Sequence, residues 1–166
     1  MEAQVIENYE KWKQMFREEA QRIKDIFADE LIAIHHIGST SVLGLNAKPI
    51  LDIMPIVKDI LRIDSFNEQM IGIGYECMGE LGLKGRRYFR KGKEKRTLQV
   101  HVFQVDNKEH INRHLVVRDY LQAHFKETVL DRDVIENSNN TEAYSNAKNA
   151  FMKELERMES HFYLNS

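Results

Sequence analysis

The stretch of sequence that decides the fold is HIGSTSVLGLNAKPILDI, residues His36–Ile53. It joins two segments rich in branched apolar residues, LIAIHHI (Leu31–Ile37) and PILDIMPIV (Pro49–Val57), and each predicts a β-strand. Between them lie small residues whose amides and hydroxyls can approach an anion closely. These residues are Gly38, Ser39, Thr40 and Ser41. One carboxylate, Asp52, interrupts the apolar second strand, where burial is costly unless the charge is paired or faces a site.

This loop admits two interpretations. It is either an ordinary turn between strands with a satisfied Asp52, or half of an active site that holds a phosphate, with Lys48 adding positive charge. The spacing matches neither a P-loop nor a dinucleotide fingerprint, so the pattern alone does not separate the two. By composition a structural turn is the commoner outcome.

Composition narrows the class of protein. The chain has 166 residues, which favours one domain over 1–166, and its 42% hydrophobic and 30% charged content is typical of a globular fold. The net charge of -2 gives no general reason to expect a nucleic-acid or membrane surface. Cys77 is the only cysteine, which excludes an intrachain disulfide and a cysteine-based zinc site. With no signal-peptide pattern and no run long enough to span a membrane, we expect a cytoplasmic protein.

The other elements are predicted from periodicity, capping residues and turns. They are a helix over Asn8–Phe27, a helix over Ser65–Gly74 with Ser65 as N-cap, a hairpin of Arg87–Lys91 with Thr97–Val105, and helices from His110 onward, the last over 141–163. This order predicts an α+β domain with a C-terminal helical portion.

The segment GRRYFRKGKEKR (Gly85–Arg96) concentrates positive charge on the predicted hairpin. It is either a solvated edge that discourages strand pairing or an anion-binding wall, with Arg86, Arg87 and Arg90 as candidate phosphate contacts. Side chains alternate along a strand, so Arg86 and Arg90 share one face while Arg87 and Lys91 share the other. Only one of these two sets can therefore face a given cleft.

Two further sets of polar residues are ambiguous on sequence alone. His101 alternates with Gln99 and Phe103 on one face of its strand, where a histidine is more often structural than catalytic. Arg118 and Asp119 are most simply helix-surface charges. No Gly-x-Ser-x-Gly or His-Glu-x-x-His motif occurs, which disfavours hydrolase and zincin chemistry.

The motifs together resemble the GrpB-like (UPF0157) family. The blocks HIGSTSVLGLNAKPILDI, GRRYFRKG, VHVF, RDYLQAH and AYSNAKNAF carry this resemblance, which extends over about Trp12–Phe151. It implies a single GrpB-like domain over 1–166, with a nucleotidyltransferase-like fold in which helices flank a short mixed sheet. The family also occurs fused to some bacterial dephospho-CoA kinases, which points to nucleotides or coenzyme-A precursors as ligands.

The resemblance also implies a site. In the nucleotidyltransferase superfamily a Gly-Ser turn holds the phosphates, and an Asp-x-Asp pair with a third carboxylate holds two divalent metals. Here the turn is Gly38–Ser39 and the acid is Asp52, without a second acid two residues before or after it. His101 stands where the third acid is expected, and Gln99 stands where the family often has another histidine.

These departures leave Asp52 and His101 as the implied catalytic residues and as ligands for one Mg²⁺ or Mn²⁺ ion. The implied phosphate- or nucleotide-binding residues are Gly38, Ser39, Thr40, Ser41, Lys48, Arg86 and Arg87. Three functions stay open: a weak, metal-assisted nucleotidyl- or phosphoryl-transferase, a non-catalytic module that binds a nucleotide or coenzyme-A precursor, and a scaffold with a vestigial cleft. The expected partner is a small phosphate-containing ligand, not nucleic acid or membrane.

Overall fold

The structure is a computed structural model that describes residues 2–43, 50–92 and 97–137. Its regular elements, in chain order, are α1 (Glu2–Phe27), β1 (Leu31–Ile37), β2 (Leu51–Val57), α2 (Asn67–Gly72), β3 (Glu76–Cys77), β4 (Arg86–Lys91), β5 (Leu98–Gln104) and α3 (Lys108–Asn137). Short 3₁₀ turns cover Ala28–Glu30, Ser39–Ser41 and Ile60–Phe66. Lys48 and the helix predicted over 141–163 lie outside the described residues. None of the described helices is long and apolar enough to cross a membrane.

The five strands form one mixed sheet in the order β1-β2-β5-β4-β3. The pairings β1–β2, β5–β4 and β4–β3 are antiparallel, whereas β2 and β5 run parallel at the centre. The predicted α+β fold, with a short mixed sheet and flanking helices, is confirmed. The hairpin predicted from the alternating segments on either side of the charged turn corresponds to β4 and β5.

Each face of the sheet is covered by a different helix. On the α1 face, Val100 and Val102 of β5 pack in one buried cluster with Ile23 and Phe27 of α1. On the α3 face, Phe103 of β5 packs in a second cluster that includes residues of β2 and α3. Because side chains alternate along a strand, this assignment fixes the faces of the residues of β2, β4 and β5.

The prediction of a helix N-cap at Ser65 is wrong. The helical path starts earlier, in a 3₁₀ turn over Ile60–Phe66, because the side chain of Asp59 accepts a hydrogen bond from the amide of Leu61. The Ser65 hydroxyl instead donates back to the carbonyl of Arg62 at 2.6 Å. The earlier aspartate therefore takes the capping role.

Candidate functional site

Asp52 and His101 meet on the α3 face. Their strands β2 and β5 are parallel neighbours, and Asp52 is in register with Gln99, two residues before His101. The distance from His101 Nε2 to Asp52 Oδ1 is 3.0 Å, and the two side chains are 14% and 21% exposed. The sheet thus pairs a carboxylate and an imidazole that are 49 positions apart in the chain.

Gly38 holds the turn against the Asp52 carboxylate. It follows the last residue of β1, Ile37, which is in register with Asp52. Its dihedral angles, φ 75° and ψ -174°, lie in a region essentially restricted to glycine. A Cβ atom built on Gly38 would lie 2.5 Å from Asp52 Oδ2. The close approach of backbone and carboxylate therefore requires a residue without a side chain.

The three hydroxyls of the Ser39–Ser41 turn have different surroundings. The buried Ser41 hydroxyl donates to the carbonyl of Gly38 at 2.6 Å, and the buried Thr40 hydroxyl is hydrogen-bonded to His36 Nε2 at 2.9 Å. Ser39 is half-buried, and its hydroxyl makes no hydrogen bond to any residue that the structure describes. Two of the hydroxyls predicted as phosphate donors thus hold the turn together, and Ser39 has the one hydroxyl of the three without a described partner.

Aromatic rings surround His101. The ring centroid of Tyr88, in register with His101 on β4, lies 5.3 Å away, and that of His114 on α3 lies 6.1 Å away. Burial, with the nearby positive charge of Arg113, lowers the pKa of His114 to about 4. His114 is therefore neutral at pH 7 and forms a flat wall between His101 and the helix.

The sequence analysis did not single out His114 for this site. A signal was available, because His114 lies three residues after Ile111 and one before Leu115, on the apolar face of the predicted helix. A histidine on that face must pack against the sheet.

The two arginines predicted for phosphate binding lie on opposite faces of the sheet. Arg86 lies on the α3 face, where its guanidinium donates to the carbonyls of Glu80 and Leu81. The structure does not bring Arg87 to the site, because the alternation along β4 directs it to the α1 face. There its side chain, 12% exposed, is paired with Asp64 at 2.7 Å.

Asp52 and His101 are the side chains of this site whose atoms have the chemistry to ligate one divalent cation. Ligands at about 2.1 Å in neighbouring octahedral positions lie ~3.0 Å apart, and the Asp52 Oδ1 to His101 Nε2 distance is 3.0 Å. Both would have to lose their mutual hydrogen bond, because a coordinating imidazole nitrogen carries no proton. Over the described residues, no group of three His, Cys, Asp or Glu side chains could hold a metal ion. The remaining ligands would come from water or from a bound phosphate.

The sequence matches one family model and several related bacterial proteins. The family model described as GrpB protein matches residues 2–158. UPF0157 protein YqkA of Bacillus subtilis (strain 168) is 50% identical over 121 residues, which are 73% of this chain and 35% of YqkA. The chain thus spans about a third of the length of that relative. The glutamate-rich protein GrpB of Alkalihalophilus pseudofirmus is 29% identical over 160 residues, 91% of this chain and 92% of that protein.

Solved structures include a close match in fold. The conserved protein GrpB from Enterococcus faecalis has a TM-score of 0.71 and 40% identity, covering 92% of this chain and 94% of that one. The Cid1 poly(U) polymerase bound to MgATP has a TM-score of 0.48 and 18% identity, covering 72% of this chain and 38% of that one. The resemblance to the GrpB family that the motifs indicated is confirmed.

Proposed function

The chain belongs to the GrpB family, and from this premise we propose that it is a slow, metal-assisted nucleotidyl- or phosphoryl-transferase. Its ligand is a nucleotide or another small phosphate-bearing molecule, bound between the Gly38–Ser41 turn and the pair of Asp52 and His101. One observation carries this proposal: the 3.0 Å pair of Asp52 and His101 lies directly against Gly38, the only type of residue that this approach tolerates.

The turn supplies hydrogen-bond donors for a phosphate. The amides of Ser41 and Val42 are used within the turn, where they donate to the carbonyls of Gly38 and Ser39. The amides of Ser39 and Thr40 are the first N–H groups of this helical turn and have no partner inside it. Together with the Ser39 hydroxyl, these groups can donate to a phosphate beside Asp52. Lys48 is proposed to add charge from the same loop.

The number of acidic groups limits the expected rate. Phosphoryl transfer is accelerated mainly by positioning and by neutralising charge, which a bound divalent cation supplies. Asp52 and His101 can hold one cation but not the pair that a two-metal site uses. Since imidazole is a poor ligand for Mg²⁺ and a better one for Mn²⁺, the proposed cofactor is Mn²⁺ before Mg²⁺. Before a cation binds, the hydrogen bond between His101 Nε2 and Asp52 fixes the orientation of the His101 ring.

A second candidate function is a binding module without catalysis. The observation that favours it is the absence, over the described residues, of any third metal-ligating side chain at this site. Such a module would recognise a nucleotide or a coenzyme-A precursor through the same turn and would release it unchanged.

A thermal-shift experiment with ATP and with coenzyme-A precursors, each with EDTA, Mg²⁺ or Mn²⁺, tests both candidates. A ligand that binds only the folded protein raises the midpoint of unfolding by mass action. We expect a rise with ATP and Mn²⁺ in the wild type and in the control Asp29→Asn, which changes an exposed aspartate. Asp52→Asn should lose the part of the rise that depends on Mn²⁺. If Asp52→Asn retains the full Mn²⁺-dependent part of the rise, the proposed site is wrong.

An assay for slow release of pyrophosphate or phosphate then separates the transferase from the binding module. Turnover that Asp52→Asn abolishes supports the transferase. Binding without turnover in the wild type overturns the transferase and supports the module.

A further inference from the structure

The outer edge of β1 borders a cavity of about 260 Å³. Strand β1 is the first strand of the sheet order, α1 covers one face of the sheet and α3 covers the other. Side chains from both helices meet over this edge and leave the cavity between them. Ser41 lies in its wall, whereas Gly38 at the start of the same turn contacts Asp52. The 3₁₀ turn therefore separates the cavity from the cleft of Asp52 and His101.

Among the residues that the structure describes, the cavity is lined by three cations and by no acidic side chain. Lys13 and Arg17 come from α1, and Arg118 comes from α3. Arg118 is anchored through Nη1, which donates to the carbonyl of His36 at 3.4 Å. Its ion-pair partner Asp119 is mostly exposed and is not part of the lining. The described part of the lining therefore carries positive charge, which favours an anion.

Aromatic rings form the other wall. The rings of Phe16 and His36 are stacked, with centroids 5.0 Å apart and an angle of 11° between their planes. Burial, with the charges of Arg118 and Lys13, lowers the pKa of His36 to about 4, so this ring is neutral at pH 7. Tyr9 also lines the cavity and lies 4.9 Å from the Lys13 ammonium. Rings of this kind stack on planar groups of a ligand.

We propose that this cavity is a second ligand site, which binds a small molecule with a phosphate group attached to a planar ring, such as a nucleoside monophosphate. Lys13, Arg17 and the guanidinium of Arg118 bind the phosphate, and Tyr9 and Phe16 contact the ring. The cavity, at about 260 Å³, lies just below the usual range for small-molecule pockets, roughly 300–1,000 Å³, so it suits a ligand no larger than a mononucleotide. This site needs no metal and does not depend on the function proposed for Asp52.

Isothermal titration of the full chain with AMP in the presence of EDTA tests this proposal. We expect saturable binding that is tighter than that of inorganic phosphate or adenosine alone. Lys13→Glu should weaken AMP binding roughly tenfold or more, because one charged contact is lost and a repulsive charge is added. Lys24→Glu, on an exposed site of the same helix, is the matched control and should bind AMP like the wild type.

Three outcomes would overturn the second site. They are no saturable binding of AMP at millimolar concentration, unchanged affinity in both Lys13→Glu and the exposed variant Arg17→Glu, or an affinity for inorganic phosphate equal to that for AMP. Asp52→Asn distinguishes the two clefts. Unchanged AMP affinity in Asp52→Asn supports the second site, whereas a loss as large as that in Lys13→Glu assigns AMP to the Asp52 cleft instead.

Discussion

Two carboxylates, one on each side of the sheet, have opposite surroundings. On the α1 side, Glu19 is 4% exposed and accepts hydrogen bonds from Tyr75 at 2.7 Å, Lys91 at 2.9 Å and Arg22 at 3.0 Å. Burial alone would raise its pKa. The hydrogen bonds from Lys91 and Tyr75 and the charges of Lys91 and Arg22 outweigh burial and hold the pKa of Glu19 below its usual value.

On the α3 side, Asp52 has a single side-chain partner among the described residues, His101. Its second oxygen lies against Gly38, and the side chain is only partly buried. A carboxylate can accept about four hydrogen bonds, so Glu19 is close to saturation while Asp52 has capacity left. Glu19, with its acceptor sites nearly filled, stabilises the fold. Asp52, which still has free acceptor capacity and lies beside a glycine, is suited to binding a ligand.

The largest expected effect is that of Glu19→Ala. It leaves the ammonium of Lys91 and the buried hydroxyl of Tyr75 without their acceptor, which should lower the free energy of unfolding by about 3 kcal/mol. Urea denaturation measures this change. Glu18→Ala, at the exposed neighbouring position, should change stability by less than ~0.5 kcal/mol. Equal effects of the two substitutions would contradict the structural role of Glu19.

Gly38→Ala should have the next largest effect. The new Cβ atom would collide with Asp52 Oδ2, and the backbone at φ 75° disfavours any side chain, so we expect a loss of about 2 kcal/mol. The part of the ATP response that depends on Mn²⁺ should disappear with it. Gly72→Ala is the control, because a Cβ at Gly72 meets nothing within 4 Å. If Gly38→Ala kept both stability and the ligand response, the contact between Gly38 and Asp52 would be unimportant.

His114 and Glu19 should lose their contributions to stability in different ranges of pH. His114 has a pKa of about 4 in the folded protein against 6.5 ordinarily, so its contribution is present above pH 6.5 and is lost as the pH falls towards 4. Between pH 7 and pH 5 the protonation of His114 lowers the free energy of unfolding by about 2 kcal/mol. His114→Leu should remove this part of the dependence of stability on pH. The lowered pKa of His36 contributes a similar decrease in the free energy of unfolding with falling pH, and this decrease persists in His114→Leu.

Glu19 acts in a lower range of pH. Because its pKa is depressed, its contribution is complete above 4.5 and is lost as the pH falls below that value. Urea denaturation at pH 7, 5 and 4 separates the two contributions, with the exposed His124→Gln as control. A slope between pH 7 and pH 5 that His114→Leu does not reduce would contradict the role of His114.

Asp52→Asn should have the smallest effect on stability, less than ~1 kcal/mol. An amide oxygen can still accept a hydrogen bond from His101, and no buried cation is left unpaired. Glu19→Gln, the isosteric change at the saturated carboxylate, should cost more. If Asp52→Asn proves the more destabilising of the two, then Asp52 is a structural residue.

The local pattern of the sequence predicts most of the fold. The apolar segments around the small-residue loop became β1 and β2, and the alternating arms of the basic hairpin became β4 and β5. These predictions succeed because strand alternation and turn residues act within a few positions of each other. Local pattern also explains the error at Ser65. Asp59 and Ser65 are both possible capping residues, they lie six positions apart, and Asp59, which is nearer to the preceding strand, is the one that caps.

The candidate site was predicted only in part, because its geometry depends on pairing between distant segments. The sequence could show that Arg86 and Arg87 lie on opposite faces, but not which face carries Asp52. The spacing of nearby residues does not predict the pairing of Glu19 with Lys91. It also does not predict that cations of α1 and α3 meet at the edge of β1. Both arise from contacts between residues far apart in the chain.

The parallel pairing of β2 and β5 has a consequence for the order of folding. Asp52 belongs to the antiparallel pair β1–β2, and His101 belongs to the antiparallel pair β5–β4. Each of these pairs closes a shorter loop than the parallel pairing of β2 with β5, which is called the central seam below. Since longer loops cost more entropy to close, we expect this seam to form last. The hydrogen bond from His101 to Asp52 joins β2 to β5. A ligand held by both residues can therefore bind only after the whole sheet has formed.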